Sequence, residues 1–372
     1  MLTRAQSKTT TLTSTGYSDV HRLPVGKQIL LSTIIVCALL VGLEGTVRLW
    51  TFYFRTSYER YNWSTGRLEL VPNIRYTTPS GSEFWINSRG FVGPEFEERP
   101  EPGVYRIMAV GDSCTFATGA WRIGYPSVLE RSLNDTSASR RFEVINAGIE
   151  GYNSGFALDR IRQELIRYQP RLVIIYVGWN DLMKMDPSSP AGSDRYRLLA
   201  QIMNESYLIK AYKKLIFMDL RPRLSRPTFS TDAVDVHAYD AFVPTDYRSN
   251  LGQIVRVLRD HDMKVVLATL PTVVRPGMTL DELRRANVVF PYFVGAYDVS
   301  RFLSLHRAYN RTIREVGSSE NVDIVDLAAS FDSLATKTEY FWDTMHPNEK
   351  GNVLVAASLF RRIREVERAG GL

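Results

Sequence analysis

The chain has 372 residues, 44% hydrophobic and 23% charged, which suits one large folded domain or two modest ones and argues against wholesale disorder. Its net charge of +6 is scattered, with no dense Lys/Arg block before the last twenty residues, so the basic stripe of a nucleic-acid binder is not expected. Only two cysteines occur, Cys37 in an apolar run and Cys114 elsewhere, and no Cys-x-x-Cys or His-x-x-x-His spacing is present; neither a structural disulfide nor a metal or other cofactor is expected.

Residues 1–27 are polar, rich in Thr and Ser, and carry Arg4, Lys8, Arg22 and Lys27. The apolar run that follows, Ile29 to Leu43, is short for a bilayer, which takes about 20 residues. Adding Glu44 to Trp50 brings it to spanning length, and Trp50, Tyr53 and Phe54 suit the membrane interface. Glu44 and Arg48 lie four apart on one helical face and can pair near the membrane edge; a polar contact with a partner helix is the alternative. No Ala-x-Ala cleavage site follows the run. The expected organisation is therefore a cytoplasmic tail (1–27) and an uncleaved single-pass signal anchor (28–50). The basic residues before the segment place the bulk on the periplasmic or extracellular side, although Arg48, Arg55 and Arg60 pull against that orientation.

Residues 51–103 are punctuated by Pro72, Pro79, Gly81, Gly90, Gly93 and Pro94, and short runs such as Glu83–Ile86 predict small strands in a β-rich juxtamembrane cap. From Tyr105 the pattern changes. Apolar runs at Arg106–Val110, Phe142–Ile145, Leu172–Val177, Lys264–Leu270 and Val322–Val325 alternate with helical periodicity at Tyr125–Leu133, Phe156–Tyr168, Tyr247–Asp260, Arg301–Val316 and Asn348–Glu367. Strand and helix in alternation imply parallel strands with right-handed crossovers, a three-layer α/β/α domain over 104–372. Insertions near 186–244 and 271–300 interrupt the order after strand ends, where open α/β sheets place their ligands. A lid or substrate wall fits them as well as peripheral decoration or a subunit contact does.

Three elements carry chemistry. Val110-Gly111-Asp112-Ser113 directly follows an apolar strand, which would aim the Ser113 hydroxyl into the crevice at the sheet edge. A Gly-Asp-Ser tripeptide alone occurs by chance in about one chain in ten of this size, so position matters more than identity. A serine hydroxyl needs a base. Asp343-Thr344-Met345-His346-Pro347 supplies one: His346 can take the proton, Asp343 can hold its other ring nitrogen, and Pro347 extends the backbone just before the last helix. His237 and His261 also neighbour acids but read as surface histidines. The third element is the pair Asn146–Gly151 and Gly178–Asp181, each closing a strand. Acyl transfer develops negative charge on a carbonyl oxygen, and the N–H groups of Ser113 and Gly151 with the Asn180 amide can meet it. Asp112 and Asp181 read as residues that position Ser113 and Asn180.

The four blocks around Ser113, Gly151, Asn180 and His346, in this order and each on a loop beside the sheet, resemble the SGNH (GDSL) hydrolase superfamily over about 104–368. The resemblance implies a flavodoxin-like sheet of order 2-1-3-4-5, no cofactor or metal, a Ser113–His346–Asp343 triad, and hydrolysis or transfer of an ester-linked acyl group. Ile86–Phe91 also looks like the segment preceding the catalytic domain in membrane-anchored bacterial members. Three positions depart from the pattern: Cys114 and Ala117 stand where a bulky apolar residue and a glycine are usual, and Trp179 replaces a smaller residue. An esterase acting on acylated polysaccharide or lipid, an O-acyltransferase using the same residues, and a non-catalytic envelope scaffold all remain compatible with the sequence. Trp121, Trp179 and Trp342 fit either a substrate platform or core packing; Cys114 reads as a small buried thiol. Oligomeric state is not legible.

Overall fold

The computed structural model describes residues 24–53, 58–62, 67–77, 81, 83–117, 120–137, 140–184, 206, 208, 209, 239–291 and 298–368. The chain divides into two compact units, one of residues 1–55 and 193–224, the other of 56–192 and 225–372.

In the first unit the helix α1 (Val25–Tyr53) has 29 residues and a mean hydropathy of 2.2 in its most apolar window. At 1.5 Å per residue it is about 43 Å long, more than the roughly 30 Å hydrocarbon core. Its apolar side chains from Val25 to Leu43 stand exposed, so it is long and apolar enough to cross a membrane or serve as a signal anchor. The expected Glu44–Arg48 pair forms at 2.7 Å. Glu44 does more than that. Its Oε2 also accepts the Ser206 hydroxyl at 2.8 Å and the Leu208 N–H at 2.9 Å, so the first insertion of the same chain supplies the polar contact. The remainder of that insertion's expected role lies outside the described residues.

The second unit opens with two antiparallel hairpins, β1 (Glu59–Asn62) with β2 (Arg67–Leu70) and β3 (Ile74–Thr77) with β4 (Glu83–Ile86). The main sheet contains β5 (Val104–Gly111), β6 (Arg141–Asn146), β7 (Leu172–Tyr176), β8 (Lys264–Ala268) and β9 (Asp323–Val325), all parallel, in the order β6-β5-β7-β8-β9. Counted within the sheet this is 2-1-3-4-5, as expected. Every side chain of β7 is buried, as a parallel strand covered on both faces requires. The helices are α2 (Ser113–Phe116), α3 (Tyr125–Asp135), α4 (Ser154–Gln163), α5 (Trp179–Lys184), α6 (Thr245–Arg259), α7 (Leu280–Arg285), α8 (Val299–Ser319), α9 (Leu327–Asp332) and α10 (Glu349–Arg368). The crossover β5-α3-β6 runs one way along the sheet and β6-α4-β7 the other. With right-handed connections, α3 and α4 therefore lie on opposite faces. Accordingly α3 packs with α10, and α4 with α6. The reversal opens a crevice at the carboxyl ends of β5 and β7.

One expectation changes in detail. The helix expected over Phe156–Tyr168 breaks at Glu164 (φ −136°, ψ −53°) and resumes as a 3-10 turn over Leu165–Tyr168. Glu164 leaves helical geometry where its carboxylate receives both Arg67 at 3.2 Å and Arg160 at 3.1 Å, two nearly buried guanidinium groups. The small hairpins bury Leu70, Phe84, Ile86 and Val92 against Phe116 of α2 and Ile149 and Tyr152 of the loop after β6. That apolar cluster fixes two of the loops at the crevice from outside the sheet.

Candidate active site

Three of the four site loops begin where a buried strand runs out. Leaving β5, the chain turns through Asp112 into α2, a single helical turn. The Asp112 Oδ1 accepts the Cys114 N–H at 3.0 Å, which closes the turn and leaves Ser113 partly exposed at its start. Burial pushes the Asp112 carboxyl up to about 6. Cys114 is 2% exposed, and burial raises its thiol well above the ordinary range, so it packs as a small apolar side chain.

The loop after β6 is held from several sides. Asn146 donates to the Thr115 carbonyl at 2.8 Å and accepts the Gly148 N–H at 2.9 Å, while the buried Arg160 donates to the Ala147 carbonyl at 2.8 Å. Gly148 sits so close to α2 that an added Cβ would lie 2.3 Å from the Phe116 nitrogen. Gly151 adopts φ +74°, a left-handed conformation that suits glycine. Next to it, the Glu150 carboxylate accepts the Tyr58 hydroxyl at 2.7 Å.

After β7, Gly178 leads into α5 with Asn180 in its first turn. The Asn180 Nδ2 donates to the Tyr152 carbonyl at 3.0 Å, and its amide carries a second N–H. Asp181 accepts the Ser154 N–H at 2.9 Å and the Ser154 hydroxyl at 2.6 Å. It thus ties the start of α4, and with it the 146–151 loop, to the turn bearing Asn180. Trp179 is 1% exposed and stacks on the buried His306, a core role and not a platform. Trp121 packs edge-on against Trp85, whereas Trp342 stands 61% exposed.

The loop before α10 brings the base to the serine. His346 Nε2 lies 2.8 Å from Ser113 Oγ, and His346 Nδ1 lies 2.7 Å from Asp343 Oδ2. Asp343 Oδ1 also accepts the backbone N–H groups of Met345 and His346, both at 3.0 Å, which orients the carboxylate before it meets the ring. With Nδ1–H donating to that carboxylate, Nε2 is left to accept the serine proton. Burial opposes charge on His346, but the Asp343 carboxylate outweighs it, helped by Asp112 and Glu150, and the pKa rises above its ordinary 6.5. Burial likewise opposes the Asp343 carboxylate, yet the bond from His346 and the two backbone N–H groups hold it below the usual range. His261 is a surface histidine as expected, and His237 lies outside the described residues.

The sequence reading missed what braces this loop. Residues of the second insertion strap it: Thr272 Oγ1 donates to the Thr344 carbonyl at 2.7 Å, Val273 N–H donates to the same oxygen at 3.2 Å, and Val289 N–H donates to Thr344 Oγ1 at 2.6 Å. The Thr344 hydroxyl returns to the Val289 carbonyl at 2.9 Å. This part of the insertion is therefore a brace for the base loop, not decoration. Its only sequence signal is its position after β8.

The sequence model of the GDSL-like lipase/acylhydrolase family matches residues 109–354, about two thirds of the chain. The chain belongs to that family. It is an SGNH-type ester hydrolase, and the match runs from the strand before Ser113 past His346 into α10. Similar solved structures include an acetyl xylan esterase at 18% identity, with 69% of this chain and 99% of that one covered and a TM-score of 0.43. A catalytic variant of an acetylxylan esterase from Geobacillus stearothermophilus is 16% identical, with 70% and 94% covered and a TM-score of 0.43. A GDSL-like lipase from Bacteroides thetaiotaomicron is 16% identical, with 70% and 89% covered and a TM-score of 0.41. No curated protein matches the chain.

Proposed function

We propose that this GDSL-family hydrolase cleaves ester-linked acyl groups with Ser113 as nucleophile, His346 as base and acid, and Asp343 as the residue that orients His346 and stabilises the imidazolium formed when it takes the proton. The observation that supports this reading most is the continuous line from Asp343 Oδ2 through His346 to Ser113 Oγ, at 2.7 and 2.8 Å. Ser113 Oγ attacks the ester carbonyl as its proton passes to His346 Nε2. The N–H groups of Ser113 and Gly151 and the second N–H of the Asn180 amide receive the oxyanion. Collapse expels the alcohol, which takes the proton from His346. Water then attacks the acyl-enzyme, with His346 as base, and the acid leaves.

The substrate fits O-acetyl groups of a polysaccharide or a lipid-linked acyl ester. The catalytic unit works on the periplasmic or extracellular side, with α1 as the membrane anchor and residues 1–27 inside. The basic residues ahead of the apolar run support that topology.

Steady-state hydrolysis of p-nitrophenyl acetate tests the reading in two ways. Only neutral His346 can accept the serine proton. Its raised pKa therefore puts the acid limb of kcat/KM above pH 6.5, with activity lost as pH falls through that limb. A rate that stays flat from about pH 5 to 8 contradicts a histidine base. Asn180→Ala removes one oxyanion donor and should lower kcat by about 10²-fold or more with little change in KM. A KM effect alone would instead assign Asn180 to ground-state binding.

A further inference from the structure

A second concave site lies beside the base loop. It is a cavity of about 500 Å³ between the second insertion and the 335–342 segment, within the size range of ligand sites. Arg275, Arg285 and Lys337 line it against a single carboxylate, Glu282. Arg275 pairs with Glu282, and Lys337 is drawn to Asp332 and to the carbonyls of Thr272 and Val274. Arg285 differs: among the described residues its guanidinium makes no ion pair, and only its Nε donates, to the Asp281 carbonyl at 3.2 Å.

At the rim stands Trp342, 61% exposed and directly before Asp343. Its backbone is pinned on both sides: its N–H donates to the His346 carbonyl at 2.9 Å, and its carbonyl accepts Asn287 at 3.3 Å. The indole is thus held outward by the loop that carries the base, although its large apolar face would gain from burial. A flat aromatic face beside hydroxyl and amide groups (Thr336, Asn287) and an unpaired guanidinium suits an amphipathic ring bearing a carboxylate. Val273, Ala286, Ala335 and Phe341 also line the cavity, but an acyl chain would leave its three cationic side chains without a counter-charge in the lining beyond Glu282.

We infer that this cavity is a subsite for an acidic saccharide, a uronate-type ring that stacks on Trp342 and places its carboxylate on Arg285. The inference rests on the ester-hydrolase reading for its purpose: the subsite would hold a carboxylated polysaccharide while a neighbouring acyl ester reaches Ser113. Trp342 is one residue from Asp343, about 3.8 Å between Cα atoms, so the two sites share one loop.

The test is a titration of the full-length protein with unesterified tetragalacturonate and with neutral xylotetraose, followed by calorimetry and tryptophan fluorescence. The expected result is preferential binding of tetragalacturonate with a change in tryptophan emission. Arg285→Glu should weaken that binding about tenfold or more through loss of a charge-assisted pair, while Arg285→Lys retains part of it. Trp342→Ala should abolish the fluorescence change. Equal binding of the two saccharides, no binding of either, or binding indifferent to Arg285→Glu would overturn the inference. The comparison of two ligands on the unaltered protein does not depend on any variant folding. Hydrolysis of p-nitrophenyl acetate by the same preparation separates the two readings. Turnover without galacturonate binding removes the subsite alone, and saccharide binding without turnover removes the ester-hydrolase reading.

Discussion

Asp343→Asn is expected to lower kcat for p-nitrophenyl acetate by about 10⁴-fold while leaving the fold intact. The reason lies in which atoms the carboxylate serves. Its Oδ1 accepts the N–H groups of Met345 and His346, so the asparagine carbonyl should keep that position and turn its Nδ2 toward the His346 ring. An N–H donor there obliges His346 Nδ1 to accept and moves the ring proton to Nε2, facing Ser113 Oγ. The base is then occupied. The same substitution removes the charge that raises the His346 pKa, so any residual activity should show its acid limb at lower pH than the wild type. A loss of less than tenfold, with the limb unmoved, would mean that Asp343 does not set the state of His346.

Gly148→Ala should lower folding stability, together with a loss of activity, although residue 148 contributes no side chain to the chemistry. A Cβ there meets backbone, not a flexible side chain: the Phe116 nitrogen at 2.3 Å and the Thr115 carbonyl carbon at 2.6 Å. Relief requires the 146–151 loop and α2 to separate. Overpacking of this kind costs about 1–3 kcal/mol or more, and a shift of about 1 Å in Ser113 relative to Gly151 costs about 10²-fold in rate. Thermal unfolding and kcat measured on one preparation should fall together. A wild-type melting temperature and rate would show that the contact is not needed to align the two loops.

The main strands and most of the long helices were legible because both depend on local pattern, whereas the order of the sheet followed from the family resemblance. Buried runs such as Leu172–Tyr176 are apolar on both faces, and helices such as α8 repeat their apolar positions at helical period. Three of the candidate site residues stood out for a related reason. A strand end followed by a small or polar residue marks a loop at the sheet edge, and Ser113, Gly151 and Asn180 all occupy such places.

What escaped depends on contacts far apart in the chain. Thr272 and Thr344 are 72 positions apart, and nothing local to either shows that one braces the other. Glu164 ends its helix at a site of helical periodicity, where Arg67, nearly a hundred residues earlier, reaches its carboxylate. Arg106 is a further example. An arginine in a central strand reads as a poor fit, yet it is 1% exposed, with its guanidinium donating to Glu143 and to the carbonyls of Glu97, Glu98 and Tyr168. A buried cation is tolerable when its donors are met, and the partners that meet these are scattered over one loop, a 3-10 turn and a strand.

The most direct test of Ser113 as nucleophile is labelling of the full-length protein with a fluorophosphonate, with the adduct located by peptide mass spectrometry. The reagent needs a serine oxygen activated by a neighbouring base and mimics the acyl step at phosphorus. The account predicts a single adduct on Ser113 in the wild type and no labelling of folded Ser113→Ala. Equal labelling of the two proteins, or none of a well-folded wild type, would contradict it.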